Sequence, residues 1–423
     1  MNLKIRLALM NLLEFAAWGA YLTCMGVYLG NIGMGSHIGA FFAMQGIVSI
    51  FMPALMGIVA DRWIQAQKLL GLCHLVAGIF MLLCAWYGNV NGSDSSYIVL
   101  FTLYSVSVAF YMPTLALTNS VAYNALTKAG MDTVKDYPPI RIFGTIGFIC
   151  TMWFVDLTGF NQSEFQFVTS GILSITLFVY SFTLPECQVN KTGGQQSLSE
   201  ALGLQAFSLF KRKEMAIFFI FSALLGASLQ VTNGFATPFI QHFETIAEYA
   251  GSFGVEHATI LYSISQISET FCILLIPFFM KRYGIKQVML IAMFAWVMRF
   301  GFLGLGNPGN GIWLFVLSMI IYGMAFDFFN ISGSLYVDKS TDPSIRSSAQ
   351  GLFILMTNGI GATVGSIAAQ QVVNIFTWQE TINGSTYTVG NWGATWMTFS
   401  IYALVVGISF AIIFRPERNV KNE

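Results

Sequence analysis

Five ionisable side chains lie inside otherwise apolar stretches: Glu14, Arg141, Glu269, Arg299 and Asp327. A charge in hydrocarbon is costly, so such residues are rare and mark substrate or ion pathways. Polar partners recur beside them at helical spacing. Gln266 and Glu269 stand at i and i+3, as do Gln230 with Asn233 and Asp327 with Asn330. Tyr322 and Phe326 stand at i and i+4, while Arg141, Thr145 and Phe148 stand at i, i+4 and i+7. Each set makes one stripe on a helix. Lipid would penalise these groups on an outer face, so the stripes are expected to line an internal cavity.

The chemistry on offer is recognition. Amides present paired donors and acceptors that match a nucleobase edge or sugar hydroxyls. Phe and Tyr supply flat faces for stacking. A polar, uncharged, partly aromatic solute fits, and a sugar fits nearly as well; an anion or peptide fits less well because basic groups are few. The acids Glu14, Glu269 and Asp327 are the candidates for carrying a proton. Each polar residue also has a plainer reading, as glue holding helices together. Arg141, one turn after Pro138-Pro139, could snorkel to an interface, and Arg299 reads as structural.

Other classes find no support. There is no HExxH, GxSxG or Walker loop, so no catalytic residues and no ATP-driven step are assigned. No loop resembles an ion filter, which argues against a channel. Cys24, Cys73, Cys84, Cys150, Cys187 and Cys272 are scattered without ligand spacing and read as small apolar residues. No metal or cofactor is expected, and a proton gradient is the expected driving force. A zero formal net charge gives no hint of nucleic acid.

The elements that position these residues follow from hydropathy. Only 9% of the 423 residues are charged and 55% are hydrophobic, against about 25% charged in a soluble domain. Spanning a bilayer takes roughly 20 mostly apolar residues. Twelve segments qualify: 5–31, 37–60, 68–88, 97–124, 138–157, 164–184, 214–240, 257–280, 285–305, 311–336, 346–374 and 392–414. The first is read as a retained span, since no short apolar region with a cleavage site follows MNLKIR. The organisation expected is an N-terminal six-helix bundle (1–187), a linker (188–213), a C-terminal six-helix bundle (214–416) and a tail (417–423). The segment around Asn383-Gly384 reads as a small β-hairpin on the outer face. Eighteen of the twenty Lys and Arg residues fall on one side of this layout, Arg141 and Arg299 being the exceptions. That side should be the cytoplasm, with both termini there.

After the second span of the first half stands GIVADRW, and after the second of the other half FFMKRYGIK. The first resembles the Gly-x-x-x-Asp-Arg signature of the major facilitator superfamily, carried here by Gly57, Asp61 and Arg62. The resemblance implies a gating or bracing role for these three, and an all-α fold of two six-helix bundles. Longer strings, among them DYPPIRIFGTIGF, SISQISET and AFDFFNISGS, are similar to those of the bacterial nucleoside:H+ symporters of that superfamily. The similarity runs nearly end to end. It implies uptake of nucleosides such as uridine and cytidine, driven by protons, in a monomer of the bacterial inner membrane. By the same resemblance Arg141, Thr145, Phe148, Gln230, Asn233, Gln266, Glu269, Tyr322, Phe326, Asp327 and Asn330 stand at substrate-binding positions. Glu14 departs from the family pattern, which carries Gln in this part of the first span.

Overall fold

The computed structural model describes residues 2–187, 204–342, 345–382 and 384–415, without the side chains of Asp61, Val134, Leu204 and Ser347. The expected tail at 417–423 and the linker residues 188–203 lie outside this range. The chain divides into two compact units, Met1–Met34 with Ile47–Ala201 and Gly35–Gly46 with Leu202–Glu423.

Unit one is built from α1 (Leu3–Gly19), α2 (Met25–Asn31), the later part of α3 (Ile38–Arg62), α4 (Ala66–Asn91), α5 (Tyr97–Tyr111), α6 (Thr114–Lys128), α7 (Thr133–Leu157) and α8 (Phe165–Ser181). Two expected spans are interrupted here. The first breaks over residues 20–24, where Cys24 Sγ lies 3.4 Å from Gln166 Oε1. The fourth breaks at Met112-Pro113, where proline supplies no N–H for the helical ladder. The core holds Leu7, Leu70, Val121, Leu126 and Leu177, all fully buried. The Gly57-x-x-x-Asp61-Arg62 motif is helical, in the last turns of α3, and three residues link α3 to α4. Of the three, Asp61's side chain is outside the described residues, and the space around Gly57 is open.

Unit two begins with the first part of α3 and continues through α9 (Lys213–Gln241), α10 (Phe253–Glu256), α11 (Ala258–Leu305), α12 (Ile312–Ser340), α13 (Arg346–Ile354), a π-helical turn (Leu355–Gly361), α14 (Ala362–Phe376) and α15 (Trp392–Ile413). α11 carries two expected spans in one run, bent at Gly284, whose φ of 74° suits only glycine well. A 3₁₀ stretch, Leu204–Lys211, precedes α9. The hairpin forms as expected: β1 (Thr377–Ile382) pairs antiparallel with β2 (Ser385–Gly390), Thr377 opposite Gly390. Gly384 in its turn has φ 85°. Aromatic rings fill this unit's core, with Phe239 against Phe243, Phe315, Trp392 and Trp396.

Among the described residues, nine helices are long and apolar enough to cross a membrane. The difference from twelve has local causes: the two spans fused in α11, the short α8, and the break separating α1 from α2.

Candidate functional site

In unit one, α7 carries Arg141, Thr145 and Phe148 on the side facing α1. The helices meet closely because glycine leaves room for backbone. A Cβ on Gly147 would lie 2.2 Å from Leu12 O, and one on Gly19 would lie 2.5 Å from Phe148 O. Phe148 is buried and sits edge-on to Trp18, with centroids 6.2 Å apart. The Arg141 guanidinium lies 3.8 Å from the centre of the Phe15 ring, a cation–π contact. Arg141 and Thr145 remain half-buried, able to offer donors.

A wide cavity of about 820 Å³ is lined by the polar face of α6: Ala116, Asn119, Ser120, Tyr123, Asn124, Thr127 and Lys128. The sequence reading missed this face, although Ala116, Ser120, Tyr123 and Thr127 fall at i, i+4, i+7 and i+11. It also missed His74, a lone imidazole in an apolar span. His74 Nε2 lies 2.8 Å from Glu14 Oε2, and both side chains are fully buried.

Unit two brings together the stripes of α9, α11 and α12. Tyr262 OH donates to Asn233 Oδ1 at 3.1 Å. Gln230 Oε1 is buried without a hydrogen-bond partner among the described residues. Tyr322 and Phe326 stack nearly parallel, 5.7 Å apart and 4° between planes. Asn330 donates to its own helix, at Phe326 O. Asp327 is 5% exposed, lies within electrostatic reach of Glu269, and has no hydrogen-bond partner for Oδ2 among the described residues. Gly323 lets α12 approach α11 here, since a Cβ there would meet Cys272 at 2.7 Å.

Arg299 belongs to the same cluster, and its structural reading needs extending. It is fully buried and donates to Ser318 O at 2.8 Å and Ser265 Oγ at 3.2 Å. Its guanidinium carbon lies 4.5 Å from the Tyr322 ring, so it packs directly against a residue of the stripe. Sequence position alone hid this, because Arg299 is distant in the chain from every stripe it touches. A small cavity of about 20 Å³, room for one water, is bounded by Trp296, Phe326, Asn330 and the π-turn residues Thr357 and Asn358. A π-turn often marks a functional position.

Among the described residues no group of His, Cys, Asp and Glu has the arrangement to hold a metal ion. Unit two by itself presents an orphaned amide oxygen, an orphaned carboxylate oxygen and stacked rings, groups able to contact a polar solute.

Residues 1–419 match the family model described as "Nucleoside H+ symporter". The chain is 46% identical over 418 residues to the nucleoside permease NupG of Escherichia coli (strain K12), covering 98% of this chain and 96% of that one. It is 44% identical over 419 residues to the xanthosine permease of the same organism, with the same coverage. A crystal structure of nucleoside transporter NupG superposes with a TM-score of 0.88 at 45% identity, over 99% of this chain and all of the other. A D-xylose–proton symporter shares the fold, with a TM-score of 0.70 at 14% identity. The fold class is therefore all-α in two six-helix bundles, that of the major facilitator superfamily.

Proposed function

The chain belongs to the nucleoside H+ symporter family, and on that premise we propose that its unit-two acids, Asp327 with Glu269, carry the proton that drives nucleoside import. It is a transporter and not an enzyme. Import is secondary active, by proton symport with alternating access.

One observation carries the assignment: the Asp327 carboxyl is buried beside Glu269 with one oxygen lacking a hydrogen-bond partner among the described residues. A buried charge without full hydrogen bonding is expensive. Binding a proton removes that charge and gives the carboxyl a donor. The loaded state can then rearrange around a nucleoside, and the membrane potential contributes about 2.3 kcal/mol per charge per 100 mV. The stripes supply the substrate contacts. Stacked Tyr322 and Phe326 offer a base a flat face. Gln230 Oε1 is free to accept from a base or ribose. Arg141 and Thr145 on α7 offer donors.

The one-sided Lys and Arg pattern supports a cytoplasmic location for both termini. The relatives' bacterial origin supports the inner membrane, and the protein is taken to work as a monomer without a bound cofactor.

The test is labelled uridine uptake into vesicles, with and without a protonophore, for Glu269→Gln and Asp327→Asn. Each variant is expected to lose proton-driven accumulation while the one that still binds substrate keeps exchange. Uptake that stays fully protonophore-sensitive in both variants would remove these acids as coupling sites. Unlabelled sugars should compete poorly where unlabelled nucleosides compete well.

A further inference from the structure

Unit one contains its own buried titratable pair, Glu14 on α1 and His74 on α4. Both are fully buried. Glu14 Oε2 faces His74 Nε2 at 2.8 Å and accepts from Thr118 Oγ1 at 2.9 Å. Glu14 Oε1 lies 2.6 Å from Thr114 Oγ1, which is itself 2.5 Å from Tyr111 O. A hydroxyl has one hydrogen to give, so Thr114 can fill only one of its two short contacts. Both are filled when Glu14 Oε1 is the donor to Thr114 and Thr114 donates onward to the carbonyl. His74 Nδ1 has no hydrogen-bond partner among the described residues. An imidazolium would leave a second buried N–H unmatched, whereas a neutral ring protonated on Nε2 leaves only a lone pair. Hydrogen-bond accounting is therefore complete for a carboxylic acid beside a neutral imidazole.

We propose that the Glu14–His74 pair is a second proton-binding site, with Glu14 Oε1 as the seat that completes the hydrogen bonding and His74 Nδ1 as the alternative seat. Moving the proton to the ring leaves a carboxylate against an imidazolium, so the net charge of the pair is unchanged. Losing it leaves one negative charge buried in unit one. The inference rests on the symport reading and extends it to a group outside unit two.

The pair is connected to the substrate stripe of its own unit. Tyr111 OH donates to Glu14 O at 2.8 Å, and its ring meets His74 edge-on. Tyr111 also contacts Trp18, with centroids 6.0 Å apart, and Trp18 meets Phe148. Phe15, next to Glu14 in α1, lies under Arg141. Among the described residues, the other titratable groups in electrostatic reach of Glu14 are Cys73 on α4, Tyr111 on α5 and Tyr137 on α7, and Arg141 on α7 in turn faces Tyr111 and Tyr137. From α6 the Thr114 and Thr118 hydroxyls reach it, and Tyr180 of α8 bonds instead to Arg6 O. A change of charge at Glu14 should therefore act on nucleoside KM, through Arg141 and Phe148.

The experiment pairs infrared spectroscopy of the purified full-length protein with uridine transport across a pH series. Glu14→Gln reproduces the shape and hydrogen bonding of the protonated acid, with an amide donor toward Thr114. It should keep the wild-type melting temperature and lose one C=O band of an unionised carboxylic acid that Asp327→Asn retains. Its KM should lose the pH dependence seen in the wild type, while the pH dependence of kcat persists. His74→Gln keeps a donor toward Glu14 and removes the alternative seat; it should retain the band and narrow the KM response. The proposal is overturned if the band survives in Glu14→Gln, or if its KM follows pH as the wild type does. If wild-type uptake ignores a protonophore, the symport reading fails instead, and the band still decides whether Glu14 holds a proton.

Discussion

Glu14 and Asp327 are both carboxyls buried in helical units, and their surroundings differ. Each oxygen of Glu14 is engaged, by Thr114 on one side and by Thr118 and His74 on the other. Asp327 has an oxygen without a hydrogen-bond partner among the described residues, and its electrostatic neighbour is another acid, Glu269. The buried cation of unit two is similarly incomplete: Arg299 Nη1 is bonded, while Nε and Nη2 lack partners among the described residues. A satisfied network rigidifies and an unsatisfied one is costly. Unit one's carboxyl is thus engaged on both oxygens within the protein, with His74 Nδ1 the one orphan of the pair, whereas unit two leaves a carboxylate oxygen of Asp327 and the Gln230 Oε1 unmatched among the described residues.

The contrast is exposed most severely by deletion. Arg299→Ala removes a fully buried side chain that bridges Ser265, Ser318 and the Tyr322 ring. Cavity formation and the stranded carbonyl together should cost about 3–5 kcal/mol. His74→Ala leaves Glu14 with its threonine contacts and should cost about 1–3 kcal/mol. Thermal unfolding in detergent ranks them, and a costlier His74 deletion would break the comparison.

An effect smaller than that of the Arg299 deletion concerns the open groups of unit two. A nucleoside that fills them should stabilise the folded state by about 2.7 kcal/mol at a hundredfold excess over Kd. Gln230→Ala removes an acceptor that has no protein partner among the described residues, so it should cost little intrinsic stability and lose most of that ligand-induced shift. Retention of the full shift in Gln230→Ala would show that the orphaned oxygen is not a substrate contact.

Much of this contrast could be read from residues in order, and some of it could not. The spans were legible because length and apolar composition are imposed by the bilayer. The stripes at 230/233, 266/269 and 327/330 were legible because helical spacing fixes which side chains share a face. The hairpin was legible from Asn383-Gly384. Breaks at 20–24 and Met112-Pro113 were lost inside continuous apolar runs. His74 was lost for a related reason: an isolated imidazole shows its significance only when Glu14, Thr114 and Thr118 are brought to it from two other helices. Arg299 was set aside because its partners Ser265, Ser318 and Tyr322 come from other parts of the chain. Spacing reveals faces, and only tertiary packing reveals which polar atoms remain unmatched.

The last predicted effects compare two glycines of unit one, and they separate packing from transport. A methyl at Gly147 would lie 2.2 Å from Leu12 O, a backbone atom that cannot swing aside. Gly147→Ala should therefore force α1 and α7 apart, cost about 1–3 kcal/mol, and disturb Phe148 and Arg141 with them. Nothing lies within 4 Å of the corresponding point at Gly57, which sits inside α3. Replacing a helical glycine with alanine favours the helix by up to about 1 kcal/mol, so Gly57→Ala should melt at or slightly above the wild-type temperature. Its uridine uptake should nevertheless fall if Gly57 has the gating role that the Gly-x-x-x-Asp-Arg resemblance implies. Uptake equal to wild type in a protein of raised stability would reduce Gly57 to an ordinary helical residue and leave the Gly-x-x-x-Asp-Arg signature without a role for its glycine.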